Sequence, residues 1–171
     1  MTTGIKTRYA GRDDMHQISA FLNDCWKAAY CHIISADYLN AMSVEAKNTA
    51  MLKRFDTSTS DFLMMFDSDR LIGAAVFGKS FTDGYEQDGE ISAIYLCDDC
   101  IGKGYGRQLC MLVEQALCAK GYEHLVLDVL SDNTRAINFY QARGFRTVAY
   151  NSIRLGETDY PLTIMRKEAG G

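Results

Sequence analysis

The chain has 171 residues, of which 47% are hydrophobic and 23% are charged. Such values are typical of globular domains, so we expect a single domain over residues 1–171 and exclude disordered, collagen-like and coiled-coil chains. The formal net charge is −4 and no basic patch is visible, which argues against nucleic acid as a partner. We expect no membrane segment and no signal peptide, since no apolar run is long enough, and we therefore expect a cytoplasmic protein.

The first half of the chain combines strand and helix signals. Apolar residues recur at helical spacing after Gly11 and again after Ser35, which is a good N-cap. Runs rich in β-formers flank the turn at 67–70 and predict a hairpin. The predicted elements are a strand at 5–10, helices that begin near 11–14 and near 35, hairpin strands at 62–66 and 71–81, and a fourth strand at 90–96.

The second half contains the clearest helical pattern. Its apolar residues fall at i, i+3, i+4, i+7 and i+8 from Leu109, and Gly121 is a plausible C-cap. A strand at 124–130, a helix from 131–134 to about 143, and strands at 145–150 and 162–165 follow. The sequence therefore predicts an α/β domain with a mixed central sheet of about seven strands and about four flanking helices, parallel only at helical crossovers.

Six cysteines are present, and we expect them to be reduced, small and mostly buried. Cys97 and Cys100 have the C-x-x-C spacing of a redox couple or of half a zinc site. A structural zinc site needs a second such pair, and no other cysteines have that spacing. The pattern therefore predicts no metal.

The segment Gly102-Lys-Gly-Tyr-Gly-Arg107 lies between the fourth strand and the clearest helix. Its glycines allow successive backbone N–H groups to point to one place, and the helix N-terminus adds partial positive charge. Lys103 and Arg107 add full charges. The spacing differs from that of a Walker A loop and of a dinucleotide fingerprint. The segment therefore predicts a binding site for an anion such as a pyrophosphate.

This loop resembles the pyrophosphate loop of the GNAT superfamily of acetyl-CoA-dependent N-acetyltransferases, whose pattern is Q/R-x-x-G-x-G/A. A second motif lies in register with it and is similar to the family's next motif. That motif consists of Asn133, Ala136, Phe139-Tyr140 and Gly144-Phe145. Ile94-Tyr-Leu96 also resembles the family strand that lies beside pantetheine. The resemblance implies the GNAT fold, acetyl-CoA as the acyl donor and no metal.

The resemblance also implies which residues contact acetyl-CoA. Many members have Pro and Arg or Gln before the glycines, where this chain has Asp98 and Ile101. We therefore expect one side-chain contact at the loop to be lost, with backbone amides providing most of the binding. The implied acetyl-CoA residues are Ile94, Tyr95, Leu96, Ile101, Gly102, Lys103, Gly104, Tyr105, Gly106, Arg107, Asn133 and Tyr140.

Acetyl transfer to an amine needs a base, a donor to the developing oxyanion and an acid for the departing thiolate. The resemblance assigns the acid to Tyr140, and a backbone N–H near Leu96 to the oxyanion. Two carboxylates are candidates for the base. Glu90 begins the fourth strand and shares one face with Ser92, Ile94 and Leu96 by alternation, and Asp128 lies within the apolar fifth strand. Water alone is the third alternative.

Other residues have two interpretations each. Asn133 is implied to hydrogen-bond the pantetheine arm, but it is also a good N-cap. Trp26, Tyr30 and Tyr38 are similar to the aromatic residues above the acceptor site in many members, but aromatic residues on helices also form cores.

The resulting hypothesis is an N-acetyltransferase that moves an acetyl group from acetyl-CoA to a primary amine by direct attack in a ternary complex. The acceptor is a small molecule, a peptide or a protein, and the acidic and aromatic residues would suit a cationic amine. The alternative is a non-catalytic acyl-CoA sensor or interaction module of the same fold. Relatives are often dimers, so a homodimer is an open alternative.

Overall fold

The structure is a computed structural model that describes residues 4–171. Over that range the chain forms seven β-strands and five α-helices. The strands are β1 (Ile5–Tyr9), β2 (Ser60–Asp67), β3 (Arg70–Lys79), β4 (Gly89–Leu96), β5 (His124–Leu130), β6 (Arg146–Leu155) and β7 (Thr158–Glu168). The helices are α1 (Met15–Tyr30), α2 (Ala36–Ala41), α3 (Val44–Asp56), α4 (Tyr105–Ala119) and α5 (Thr134–Gln141).

The strands form one sheet in the order β1-β2-β3-β4-β5-β7-β6. Every neighbouring pair is antiparallel except β4 and β5, which are parallel and are connected by α4. The predicted α/β class with a mixed seven-stranded sheet is confirmed. β6 and β7 are longer than predicted because their pairing continues to a tight turn at Gly156, whose φ is +64°.

Helices cover both faces of the sheet. α4 and α5 pack on one face, where Leu109 and Val113 are fully buried. α1 and α3 pack on the other face, where Met15 and Ile18 are fully buried. A third cluster, which includes Leu39 of α2, joins the end of α1 to β5, β6 and β7. Burial of these apolar surfaces is the main stabilising contribution to the fold.

The second predicted helix is two helices, so five helices flank the sheet. Met42 and Ser43 have extended backbone, with ψ angles of 127° and 131°, which ends α2. The Ser43 hydroxyl then accepts a hydrogen bond from the Ala46 N–H at 3.2 Å and caps α3. The predicted cap at Ser35 is present, since its hydroxyl accepts from the Tyr38 N–H at 3.4 Å.

A bulge in β4 overturns the predicted alternation of Glu90, Ser92, Ile94 and Leu96. Phe77 of β3 pairs with Ile91, and Val76 pairs with Ala93, so Ser92 is an extra residue in β4. An extra residue reverses the faces of all residues beyond it. Ile94 and Leu96 therefore pack beside Ile91 on the α4 face, whereas Ala93 and Tyr95 pack on the α1 face.

β4 and β5 separate soon after they meet. They pair only at Gly89 with Leu125 and at Glu90 with Val126. Beyond these two pairs the strands diverge, and the facing edges of the two strands are left open in the middle of the sheet. This divergence creates the cleft described below.

In the part of the chain that the structure describes, two further predictions concern membrane-spanning helices and the cysteines. No helix of residues 4–171 is long and apolar enough to cross a membrane. All six cysteines are free. Only Cys100 and Cys110 are buried, and Cys31 is exposed, so the prediction that most cysteines are buried is wrong.

A half-buried ion-pair network joins α4, the end of α5 and β7. Glu114 accepts hydrogen bonds from Arg143 Nε at 2.8 Å and from Lys167 Nζ at 2.9 Å. The Lys167 side chain is only 6% exposed. Burial alone would raise the pKa of Glu114, but the bonds from Arg143 and Lys167 outweigh it and hold the pKa below its ordinary value. The network thus fixes the helices that flank the cleft.

We expect Glu114→Gln to lower the free energy of unfolding by about 3 kcal/mol at pH 7, because it leaves two largely buried cations without a counter-charge. The lowered pKa means that this stabilisation is complete above the ordinary glutamate pKa of about 4.3 and is lost as the pH falls through the folded-state value. Urea unfolding at several pH values measures both effects. The exposed Glu123→Gln is the control, and equal losses in the two variants would contradict the prediction.

Candidate active site

A cleft of about 770 Å³ opens where β4 and β5 diverge. It is bounded by the end of α1, the glycine loop with the start of α4, and α5. The cleft is lined by many of the residues predicted from the sequence. Those residues are Tyr30, Ile94, Tyr95, Leu96, Ile101, Gly102, Gly104, Gly106, Arg107, Asp128, Asn133 and Tyr140.

Five predicted residues do not line this cleft. Lys103 belongs to the glycine loop and Tyr105 to the first turn of α4, but neither is part of the cleft wall. Glu90 of β4 is not part of it either. Trp26 and Tyr38 are also outside it.

The glycine loop presents a row of free backbone donors at one end of the cleft. Gly102 and Gly104 have φ angles of +81° and +88°, which side-chain-bearing residues rarely adopt. Gly104 is the N-cap of α4 and provides no side-chain cap. The N–H groups of residues 102–107 donate to no backbone or side-chain acceptor within residues 4–171. Such a row at the N-terminus of a 15-residue helix favours an anionic ligand.

Two arginine side chains line the cleft near this loop. Arg107 was predicted from the sequence. Arg135, in the first turn of α5, was not predicted, although its position two residues after the Asn133 cap was an available signal. Both side chains are exposed and can add positive charge for a polyanion.

The segment before the loop is anchored by backbone and side-chain hydrogen bonds. The Cys97 N–H donates to the Ile72 carbonyl at 3.0 Å, and residues 98–100 form a 3-10 turn. Arg70 donates to both Asp99 oxygens, at 2.7 and 2.8 Å. These bonds tie the loop to the β2–β3 hairpin.

The Cys97 and Cys100 thiols and the Asp99 carboxylate lie within 4.8 Å of one another. Asp99 is already engaged by Arg70. Burial and a hydrogen bond with Cys100 raise the pKa of Cys97 to about 12. Thiol exchange needs the thiolate, so the raised pKa of Cys97 argues against a redox couple at these two cysteines.

The Leu96 backbone N–H lies on the open edge of β4. Successive strand residues direct their N–H groups to opposite edges, and that of Cys97 points to β3. The Leu96 carbonyl, which accepts from Cys25 Sγ at 3.6 Å, also points away from β3. The Leu96 N–H therefore faces the cleft.

Tyr140 of α5 lies against the core and lines the cleft. Its ring packs at centroid distances of 5.1 Å from Phe139 and 5.6 Å from Phe145. The Tyr140 hydroxyl makes no hydrogen bond with another described residue. Burial, followed by the nearby Cys110, raises the pKa of Tyr140 well above its ordinary value. The hydroxyl therefore keeps its proton over the physiological range.

Glu90 is a buried carboxylate whose oxygens are fully engaged. Its Oε2 accepts hydrogen bonds from Ser80 Oγ at 3.1 Å, the Phe81 N–H at 2.7 Å and Thr82 Oγ1 at 3.1 Å. Its Oε1 accepts from Ser92 Oγ at 2.9 Å. Glu90 thereby holds the bulge at Ser92 and the loop after β3.

Asp128 of β5 has the opposite environment. Its carboxylate projects into the cleft, is accessible to solvent and has no hydrogen bond or ion pair with a described side chain. Protein atoms nevertheless surround it closely, and this burial, together with the charge of Glu90, raises the pKa of Asp128 above its ordinary value. A free carboxylate with a raised pKa is suited to accept a proton.

A hydrogen-bonded chain connects α1, β4 and α5 across the cleft. The hydroxyls of Tyr30 and Tyr95 are 3.1 Å apart, and Asn133 Nδ2 donates to the Tyr30 hydroxyl at 3.4 Å. Asn133 Oδ1 accepts from the Ala136 N–H at 3.1 Å. Asn133 is therefore the N-cap of α5 and also orients Tyr30.

The three aromatic residues predicted to border the acceptor form one cluster of tilted rings. Trp26 lies 4.7 Å from Tyr30 and 6.4 Å from Tyr38 between ring centroids. Tyr30 lines the cleft, and Trp26 lines a smaller cavity on the other side of β4. Tyr38 packs instead toward the turn between β6 and β7.

Comparisons with known proteins agree on one family. The profile described as "Acetyltransferase (GNAT) family" matches residues 18–145. The chain is similar to the uncharacterized N-acetyltransferase YuaI of Bacillus subtilis (strain 168), with 29% identity over 97% of this chain and 91% of that protein. It is 35% identical to the peptidyl-lysine N-acetyltransferase YiaC of Escherichia coli (strain K12), over 44% of this chain and 47% of that protein.

A solved structure shows the same fold. The PaiA N-acetyltransferase from Thermoplasma acidophilum, solved in complex with coenzyme A, superposes with a TM-score of 0.75. The match covers 96% of this chain and 99% of that chain at 23% sequence identity.

Proposed function

The chain belongs to the GNAT family of acetyltransferases, and we propose that it transfers the acetyl group of acetyl-CoA to a primary amine by direct attack within a ternary complex. The observation that carries this proposal is the row of free N–H groups in the glycine loop, of which those of Gly102, Gly104, Gly106 and Arg107 belong to residues that line the cleft containing Tyr140. Donors for a polyanion and an acid for a leaving group thus occur in one cavity.

The glycine loop and the first turn of α4 would hold the pyrophosphate of acetyl-CoA. Arg107 and Arg135 supply the positive charges that line the cleft, where Asp98 and Asp128 supply negative ones. The open edge of β4, from Ile91 to Leu96, would receive the amide-bearing pantetheine arm, because those backbone groups have no partner strand. The PaiA neighbour, solved with coenzyme A, supports this choice of donor.

Residues on the two walls of the cleft would perform different parts of the chemical step. The amine nitrogen attacks the thioester carbonyl, and the Leu96 N–H stabilises the negative charge on the carbonyl oxygen. As the carbon–sulfur bond breaks, the electron pair leaves with sulfur and Tyr140 donates its proton to the thiolate. The amine proton passes through water to a carboxylate.

We assign that carboxylate to Asp128. It lies in the cleft, has no competing hydrogen bond and has a raised pKa. Glu90 is assigned a positioning role, because it does not line the cleft, its oxygens accept four hydrogen bonds, and its charge helps to raise the pKa of Asp128.

We expect Gly104→Ala to weaken acetyl-CoA binding by about tenfold or more, since a Cβ strains the left-handed conformation and displaces the free N–H groups. Calorimetric titration with acetyl-CoA measures the change in Kd. Gly84→Ala is the matched control, because Gly84 has a similar φ of +84° and open space around its Cα but lies outside the cleft. Equal affinities in the two variants would count against the loop as the pyrophosphate site.

Thiol release from acetyl-CoA in the presence of a panel of amines tests the reaction and the role of Tyr140. We expect Tyr140→Phe to lower kcat by about 100-fold while acetyl-CoA binding is retained, since only the transferable proton is lost. Tyr150→Phe, at a side chain that is 76% exposed on β6, is the control. Binding of acetyl-CoA without thiol release for any amine would instead indicate a non-catalytic module.

We expect Asp128→Asn to lower kcat by about 100-fold, with unchanged acetyl-CoA affinity and equal or greater thermal stability. The stability follows from the raised pKa, which means that folding disfavours the Asp128 charge at neutral pH. Because the base must be deprotonated, wild-type activity should rise with pH through this raised pKa. Asp132→Asn, in the exposed turn after β5, is the control, and wild-type turnover in Asp128→Asn would leave water as the base.

A further inference from the structure

A second cavity of about 130 Å³ lies on the opposite side of β4 from most of the cleft. It lies between α1, α3 and the sheet and is partly open to solvent. Its polar and aromatic walls are Trp26, Lys47, Arg54, Ser92 and Tyr95. No step of the proposed reaction uses Lys47 or Arg54.

The charged side chains that line this cavity are both cations. Lys47 and Arg54 are seven residues apart, which places them two turns apart on one face of α3. Lys47 has no ion pair or side-chain hydrogen bond with any residue in the described range, and burial lowers its pKa. Burial also lowers the pKa of Arg54, while the charge of Glu90 acts in the other direction. The two side chains therefore bring positive charge into surroundings that disfavour it.

The hydrogen bonds of Arg54 do not neutralise that charge. Its Nε donates to Ser60 Oγ at 2.8 Å and its Nη2 donates to Ser92 Oγ at 2.7 Å, and both acceptors are neutral hydroxyls. Glu90 is the nearby carboxylate, but its oxygens accept from Ser80, Phe81, Thr82 and Ser92 instead of from Arg54. One carboxylate at a distance thus faces two half-buried cations, an arrangement that is costly unless an anion is bound.

The position of the cavity connects it to the reaction. Ser92, Ala93 and Tyr95 line both the second cavity and the main cleft. A ligand group in the second cavity therefore lies next to the cleft. A volume of about 130 Å³ equals roughly four water molecules at about 30 Å³ each, which is enough for a carboxylate on a short arm.

We propose that the second cavity binds a carboxylate of the amine acceptor through Lys47 and Arg54, so that the acceptor class is an amine that also carries an anionic group. This inference rests on the proposed acetyl transfer for its role, but the site itself is independent of turnover. The acidic composition of the chain suggested a cationic amine as the acceptor. The two cations of the second cavity favour instead an amine that carries a carboxylate.

The first test compares acceptors that differ only in charge. β-Alanine, 4-aminobutyrate and 6-aminohexanoate are each assayed beside their carboxamides for thiol release from acetyl-CoA. For at least one of these three acceptors, the form with the carboxylate should have a kcat/KM about tenfold or more above that of the form with the carboxamide. Lys47→Met should remove this preference through KM, while the matched Lys53→Met, at an exposed lysine of α3, should keep it. Equal use of both forms in every pair overturns the proposal.

The second test does not depend on turnover. Trp26 is the single tryptophan of the chain and lines the cavity, so its fluorescence reports occupancy. A saturable change in Trp26 fluorescence on adding the preferred carboxylate supports the site, provided that two controls hold. Binding must be absent or about tenfold weaker when the carboxamide replaces the carboxylate, and likewise when the Lys47→Met variant replaces the wild type. No difference between the two ligands overturns it. If no amine supports thiol release but this Lys47-dependent binding remains, acetyl transfer fails while the anion site stands.

Discussion

The divergence of β4 from β5 is the constraint on which the rest of the molecule depends. After two residue pairs the strands part, and a sheet that is otherwise continuous has two open edges at its centre. Backbone groups at such edges need partners from water or from a ligand. The cleft, the glycine loop at its end and the side chains that line it all follow from this separation.

A small set of polar contacts fixes where the divergence begins. The bulge at Ser92 reverses the faces of the following residues, so that Tyr95 reaches Tyr30 while Ile94 and Leu96 pack under α4. Glu90 holds the bulge through Ser92, and Arg54 holds it from the other side. The same serine lines both the main cleft and the cationic cavity, so one short strand borders two binding spaces.

The sequence predicted the elements and the glycine loop because their signals are local. Apolar spacing identifies α4, and Gly102 and Gly104 directly indicate the turn that frees the N–H groups. The sequence did not predict the bulge, because a single extra residue leaves no periodic trace in a strand as short as β4. The break at Ser43 was visible only as one capping residue within a helical pattern.

The side-chain environments were less predictable still. Nothing in the sequence distinguishes Glu90, whose carboxylate is filled by donors from the loop after β3, from Asp128, whose carboxylate is free. Contacts between residues distant in the chain decide that difference. The same holds for Lys47, whose lack of an anionic partner appears only once α3 is placed against β4.

The anchoring of the glycine loop has a consequence for how the protein responds to salt. Arg70 and Asp99 are both more than half exposed, with side-chain exposures of 59% and 58%, so their attraction weakens as the salt concentration rises. Rising ionic strength therefore loosens the tether of the loop and, separately, weakens the attraction of Arg107 and Arg135 for a polyanion. Both effects act in the same direction, so higher ionic strength lowers both the order of the glycine loop and its affinity for phosphate.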